Sequence, residues 1–188
     1  MNCRDFFESN KDNEEFCRAL QLCTLEVQLE WECQSASPHS PGPVADDELL
    51  CRQVVDPTHY DRVSGTIKPT FFDDASSKGA SIHRWSHTTA EKIQQISEAR
   101  VSQANANPRS TGLRESIGYA TVTAADVRGV LTQQPQEPFR RGLGIYDTGK
   151  AVDNSHGDIC QLVSGRQQGS SVRAQLFKIG KSRLVRFP

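Results

Sequence analysis

The chain has 188 residues, 36% of them hydrophobic, and a formal net charge of −1. That length suits one domain with an appendage and a modest core, and the near-neutral balance supplies no overall field drawing the protein to nucleic acid or membrane. No run approaches the ~18–20 consecutive apolar residues of a membrane span, and no apolar stretch of the secretory kind follows the charged start Met1–Asp5, so a cytoplasmic location is expected. There the six cysteines (Cys3, Cys17, Cys23, Cys33, Cys51 and Cys160), none in a CxxC pair, are expected to be free thiols.

Charge is unevenly spread. Residues 1–33 carry eight acids (Asp5, Glu8, Asp12, Glu14, Glu15, Glu26, Glu30, Glu32) against three bases (Arg4, Lys11, Arg18), a net of −5. Residues 161–188 carry six bases and no acid. Opposed ends of this kind either close on one another or meet different partners.

Along the chain, Phe16, Leu20, Cys23, Val27 and Trp31 recur at three-to-four spacing and predict one helix over 12–32. Leu22, Leu25 and Leu29 widen its apolar face, so this acidic extension (1–34) is expected to be buried on its own body or on a partner. Three prolines, a glycine and three serines in 35–47 predict a linker. The body, 48–188, opens with a buried strand at 49–55 that carries Arg52 in its middle. Pro69 interrupts an extended edge element at 66–72. A short strand at 80–85 precedes a Thr88-x-x-Glu91 capping box and a surface helix reaching toward Asn105, with Pro108 beyond it. A strand at 116–123, a short helix opened by Thr123 and Asp126, a loop at 133–138, strands at 143–147 and 158–163, a helix capped by Ser171 and a last strand complete the series. Strands and short helices without a regular βαβ beat predict an α+β fold. Its sheet is expected to be small and mixed or antiparallel, with short surface helices and the amphipathic N-terminal helix added.

Several motifs touch on chemistry. Gly144-x4-Gly149-Lys150 is nearly a phosphate loop, but Ala151 stands where a hydroxyl is needed and turn residues follow instead of a helix. Residues 142–163 are therefore expected to form strand, polar turn and strand. Lys150 would be exposed, Gly149 would supply turn geometry, and Asp153 and Asn154 would bond the turn backbone. His83, His87, His156 and Cys160 have spacings that admit zinc but gain no support from a helix, and neither metal nor cofactor is expected. The cluster Asp153, Asn154, His156, Asp158 suggests an acid/base histidine oriented by a carboxylate, with Arg52 or Arg141 holding an anion. At the basic end, Arg173, Lys178 and Arg183 are the candidate anion-binding residues.

Arg52-x-Val54, Phe72, Ser81-Ile82 and the turn Asn154-x-His156-x-Asp158-Ile159 resemble, over about 48–180, a group of small bacterial proteins that carry no assigned function. The resemblance implies no activity and no residue role. Three functional readings follow from the residues. The first is a non-catalytic regulatory or adaptor component that meets a protein partner, or a second copy, through Phe16, Leu20, Val27 and Trp31. The second is a small enzyme acting on a phosphorylated or nucleotide-like substrate through His156, Asp153 and Arg52. The third is nucleic-acid binding at the basic end.

Overall fold

The computed structural model describes residues 1–107, 112–132 and 140–188; the expected loop at 133–138 and Pro108 lie outside them. The fold is α+β. A six-stranded antiparallel sheet runs in the order β6-β7-β4-β1-β5-β8, built from β1 (Leu49–Asp56), β4 (Ala80–Arg84), β5 (Glu115–Thr123), β6 (Leu143–Tyr146), β7 (His156–Gln161) and β8 (Leu184–Arg186). A two-stranded ribbon, β2 (Tyr60–Asp61) with β3 (Thr66–Ile67), lies beside it.

Strand alternation sorts the sheet into two faces. One carries Leu50, Val54, Ala80, Ile82, Ala120, Val122, Leu143, Ile145 and Ile159, and holds the main core. It is covered by Phe71 and Phe72 from the 3-10 segment Pro69–Ser76, by Val127 of α5 (Ala124–Arg128), and by Val172 and Leu176 of α6 (Arg166–Gly180). The extended element expected around Pro69 is thus a 3-10 helix, since proline at its start fixes φ and sacrifices no needed N–H.

The opposite face has two separate covers. At the β5 end, Ile93 of α4 (Ala90–Ala106) packs on Cys51 and Tyr119. At the β6 end, the N-terminal segment packs on Tyr146, Cys160 and Leu162. Between the covers runs a polar row from the middle strands: Gln53, Ser81, His83, His156 and Asp158.

The single helix expected over 12–32 is replaced by two, α2 (Phe16–Gln21) and α3 (Leu25–Glu32), and a further helix, α1 (Cys3–Ser9), precedes them. Capping side chains open α1 and α3, and the second of them sets the break within 12–32. Asn2 accepts Asp5 N–H to start α1, and Thr24 accepts Val27 N–H to start α3. Breaking the helix turns the first apolar stripe inward and half-buries Leu25 and Leu29 of the second, while Leu22 stays exposed. Phe16, Leu20 and Trp31 are buried with Phe6, Phe7 and Cys17 against the chain's own sheet, while Val27 is half-buried. The first three therefore present no surface to a partner.

An ion network fixes this segment. The buried Glu32 carboxylate pairs with Arg128 at 2.9 Å and with Arg141, and accepts Ile145 N–H at 3.0 Å. The acidic end thus meets Arg128 and Arg141 and not the basic C-terminus. The proline-rich segment also lies down on the body: Ser37 donates to Gly149 O at 2.5 Å, Ser40 donates to Asp147 O at 2.7 Å, and Val44 enters the main core.

Other elements differ in detail from the sequence reading. The cap of α4 is Thr89, which accepts Lys92 N–H at 3.3 Å, and the Thr88 hydroxyl is buried without a partner. Helix α6 begins at Arg166, five residues before Ser171. The Thr123–Asp126 capping box forms as expected. Among the described residues no helix is long and apolar enough to cross a membrane.

Candidate functional site

The site grows out of the polar row. In antiparallel pairing, residues directly opposite share a face. Ser81 faces Asp158, and His83 faces His156, across β4 and β7. Two histidines are thereby set side by side, their ring centroids 6.4 Å apart and their planes at 85°.

Their hydrogen bonds differ. The Arg100 guanidinium donates to Gln53 Oε1 at 3.3 Å, which turns the Gln53 amide N–H toward His83 Nε2 at 2.9 Å. His83 Nε2 then accepts, and Nδ1 carries the proton toward Asp153 Oδ2 at 3.1 Å. Ser155 Oγ donates to the other Asp153 oxygen at 2.6 Å. Both nitrogens of His83 are satisfied.

His156 is different. Its Nδ1 lies 3.2 Å from Thr148 O, an acceptor only, and 3.0 Å from Thr148 Oγ1, so Nδ1 carries the hydrogen. The Thr148 hydroxyl passes its own hydrogen to Asp158 Oδ2 at 2.6 Å, and Ser81 Oγ donates to Asp158 Oδ1 at 3.2 Å. The remaining nitrogen, Nε2, is buried and has no hydrogen-bond partner among the described residues. Leaving such an acceptor unpaired costs about 1–3 kcal/mol.

Electrostatics follow the geometry. Burial pushes the His156 pKa below the ordinary histidine value; Asp158 opposes this, while Lys150, His83 and Arg100 reinforce it. The imidazole is neutral at pH 7 as a result. Burial works to raise the Asp153 carboxyl, but the hydrogen bonds from His83 and Ser155 outweigh it and hold the group well below the usual carboxylate range. Lys150 is exposed by residue area, yet partial desolvation lowers its pKa against the pull of Asp158, with Arg100 adding to the fall.

His156, Asp158, Thr148, Lys150 and Ser81 line a cleft of about 690 Å³. Its other wall comes from the N-terminal and proline-rich segments, including Phe7, Lys11, Phe16, Pro38 and His39, and Lys78 closes one side. The segments read in sequence as an appendage and a linker thus form half of the cleft.

The residues read as catalytic are only partly brought together. His156 is in place. Asp153 is not its carboxylate: the turn that carries it delivers it to His83, and the carboxylate of His156 is Asp158, reached through Thr148. Arg52 points to the opposite face. There it donates to Phe71 O and Ser81 O, pairs with both Asp74 oxygens and lies 5.1 Å from the Phe71 ring centroid, so its charge is matched by Asp74 and not held ready for an anion beside His156. Arg141 is held by Glu32 and Leu143 O.

At the basic end, Arg173 pairs with Asp73 at 3.4 Å and donates to Gln161 Oε1, and Arg183 pairs with Asp126 at 2.7 Å. Two of the three expected anion-binding residues are therefore neutralised within the chain. Lys178 lies in the last turn of α6, where a cation favours the helix dipole.

The stretch resembling a phosphate loop forms strand, turn and strand, as its spacing predicts. Lys150 and Asp153 exchange backbone bonds of 2.9 Å across the turn. Gly149 is not at positive φ. Its lack of a side chain matters because a Cβ there would stand 3.0 Å from His39 O, so the glycine lets the proline-rich segment lie close. The Asp153 side chain bonds His83 and Ser155 instead of the turn backbone.

Of the four residues with zinc-compatible spacing, His83 and His156 adjoin, whereas Cys160 is buried under the N-terminal helices and His87 sits in the 3-10 turn Trp85–His87. Among the described residues no three His, Cys, Asp or Glu side chains gather as a metal-holding group. Thr148, Gln53 and Arg100 had no signal in the sequence, because only strand register reveals their neighbours. No family model matches the chain, and no curated protein or solved structure matches it either.

Proposed function

We propose that the protein is a small enzyme that binds a phosphorylated small molecule in the cleft and uses His156 as general base. The observation that carries this reading is the His156 imidazole: buried, neutral, its Nδ1 proton fixed by Thr148, its Nε2 lone pair closed to solvent and without a partner among the described residues, in a residue that lines a 690 Å³ cleft. A neutral imidazole with one nitrogen anchored and the other bare is what proton abstraction requires.

In the reaction, substrate binding opens the way to Nε2, which is closed to solvent in the free chain, and Nε2 takes a proton from water or from a substrate hydroxyl. The imidazolium that forms keeps its Nδ1–H on Thr148, and the Asp158 carboxylate, 3.9 Å from Nδ1, offsets its new charge. The lining sets Lys11, Lys78 and Lys150 against Glu8, Asp12, Glu14 and Asp158, and Lys11 is paired with Glu8, so only the local charge of Lys78 and Lys150 draws the phosphate of the substrate.

The adaptor reading rested on a free apolar helix face, and Phe16, Leu20 and Trp31 spend that face inside the chain. The nucleic-acid reading rested on free cations at the C-terminus, and Arg173 and Arg183 already have carboxylates. Lys178 and Leu22 stay exposed, so both readings keep some surface, but neither has a formed site to set beside His156.

The test is a panel of sugar phosphates and nucleotides followed by ³¹P NMR with wild type and His156→Gln. Turnover of at least one compound, reduced at least about a hundredfold in the variant while its circular dichroism is unchanged, is expected. Equal turnover in both chains, or none across the panel, overturns the reading.

A further inference from the structure

A second cleft, of about 320 Å³, adjoins the first: Lys78 and Ser81 belong to the walls of both. It opens where the pairing of β1 with β4 ends, after Cys51 and His83, and where the Arg52 guanidinium fills the gap by donating to Ser81 O at 3.0 Å. Its walls are rich in cations. Arg52, Lys78, Arg100 and Arg114 line it, against one carboxylate, Asp74. That carboxylate is taken by Arg52 in a bidentate pair. Lys78, Arg100 and Arg114 have no ion-pair partner among the described residues.

Like charges gathered without counter-ions repel one another, and the neighbouring groups register the cost. His59, in the same cleft, has its pKa pushed down to about 3 by burial and by Arg52 and Arg114. The charge of Arg100 also reaches His156 and Lys150 in the first cleft. A folded chain holds such a cluster open to solvent at some expense in stability, and a bound anion removes that expense. Arginine forks matched by a lysine point charge suit the oxygens of a phosphate group.

We propose that the second cleft is a phosphate subsite formed by Lys78, Arg100 and Arg114, which seats the phosphate of a small phosphomonoester whose organic part passes Ser81 into the His156 cleft. The site itself stands on its own residues; only the direction in which the ligand extends rests on the reading of His156 as the base. Arg100 has a second duty. Its Nη1 holds Gln53, and Gln53 holds His83, so phosphate bound there is one hydrogen-bonded chain away from Asp153. The small volume of this cleft, about 320 Å³, favours a terminal phosphate over the backbone of a polymer, whose phosphates carry chain on both sides.

The test is calorimetric titration with inorganic phosphate, ribose 5-phosphate and a single-stranded RNA decamer, using wild type, Arg100→Gln, Lys78→Gln and His156→Gln. Wild type is expected to bind inorganic phosphate saturably and ribose 5-phosphate more tightly. Arg100→Gln and Lys78→Gln should each weaken both by about tenfold or more, with melting temperatures near wild type, while His156→Gln keeps phosphate binding. Absence of saturable phosphate binding, or binding indifferent to Arg100 and Lys78, overturns the subsite. Binding of the decamer but not of ribose 5-phosphate overturns the small-molecule assignment. The two proposals fail separately. Phosphate bound through Arg100 with no turnover anywhere upholds the subsite and removes the general base. Turnover that needs His156 but not Arg100 or Lys78 does the reverse.

Discussion

His83 and His156 stand opposite each other on neighbouring strands with ring centroids 6.4 Å apart, yet only His156 has an idle nitrogen. The difference comes from what lies beyond each ring: Gln53 and Asp153 take both sides of His83, whereas Thr148 takes one side of His156. This asymmetry is open to measurement. In ¹⁵N-detected imidazole spectra at pH 7, His156 is expected as the neutral Nδ1–H tautomer, titrating below the ordinary ~6.5. Thr148→Val removes the hydroxyl while the Thr148 carbonyl remains, so the tautomer should persist and the link to Asp158 should be lost. An Nε2–H tautomer, or a His156 charged at pH 7, contradicts the geometry.

Glu32 anchors the N-terminal helices. Replacing it with alanine leaves Arg141 without an ion pair among the described residues in a partly buried place, while Arg128 keeps Asp46. Removing one member of a buried pair costs about 3 kcal/mol. The cysteines report where that energy was spent. Cys33 is exposed and Cys23 half-buried, while Cys3, Cys17, Cys51 and Cys160 are buried. Burial also pushes the Cys3 and Cys51 thiols up to about 12 and the Cys160 thiol well above its ordinary value. In the native wild type a thiol reagent should therefore find Cys33 fast, Cys23 slower and the other four silent. Glu32→Ala should release Cys3, Cys17 and Cys160 and leave Cys51 protected under α4. Simultaneous release of all four would mean that the N-terminal segment and the sheet unfold as one unit.

Much of the frame was legible in the sequence, and the reason is local chemistry. The strand at 49–55 is an apolar run, and the helix after Thr123 has its capping box within four residues. The N-terminal break was not legible, because Phe16, Leu20, Cys23, Val27 and Trp31 keep helical spacing straight across the turn that Thr24 introduces. The site was half legible. His156 stood out as a histidine among turn carboxylates, but nearness in sequence favoured Asp153 as its partner. Register decided otherwise. A strand places i and i+2 on one face, so Asp158 joins His156, and Asp153, outside the strand, reaches across to His83. Arg52 failed for the same reason: one residue from Gln53, it lies on the other face.

Acid should destabilise the fold earlier than carboxylate chemistry alone predicts. An unfolded histidine takes its proton near 6.5, but folded His59 refuses it until about 3, and burial lowers His156 as well. As pH falls below 6.5 the unfolded chain therefore binds more protons, and stability declines through the window down to about 3. Each such group contributes at most about 1.4 kcal/mol per pH unit. Urea midpoints measured from pH 7 to pH 4.5, above the range in which Asp153 titrates, should fall steadily. His59→Gln, which keeps an acceptor for Val55 N–H, should flatten the slope by roughly one proton. An unchanged slope would show that His59 is free to ionise in the native state.

Gly79 joins the N-terminal segment to the site from beneath. Its φ of +77° is strained for any residue with a side chain, and a Cβ there would stand 2.9 Å from Asp158 Cβ and 3.0 Å from Phe16 Cζ. Gly79→Ala should cost on the order of 1–3 kcal/mol in backbone strain. It should also displace Asp158 and loosen its hold on Thr148, so the ¹⁵N shifts of His156 should move. Gly118 provides the control. A Cβ there would sit 2.0 Å from Val185 O, between β5 and β8, and Gly118 lines neither cleft. Gly118→Ala should lower the melting temperature at least as much and leave the His156 signals in place. If both variants shift His156 equally, the signal reports general loosening of the sheet; if only Gly79→Ala does, the contact between Gly79 and Asp158 sets the orientation of the base.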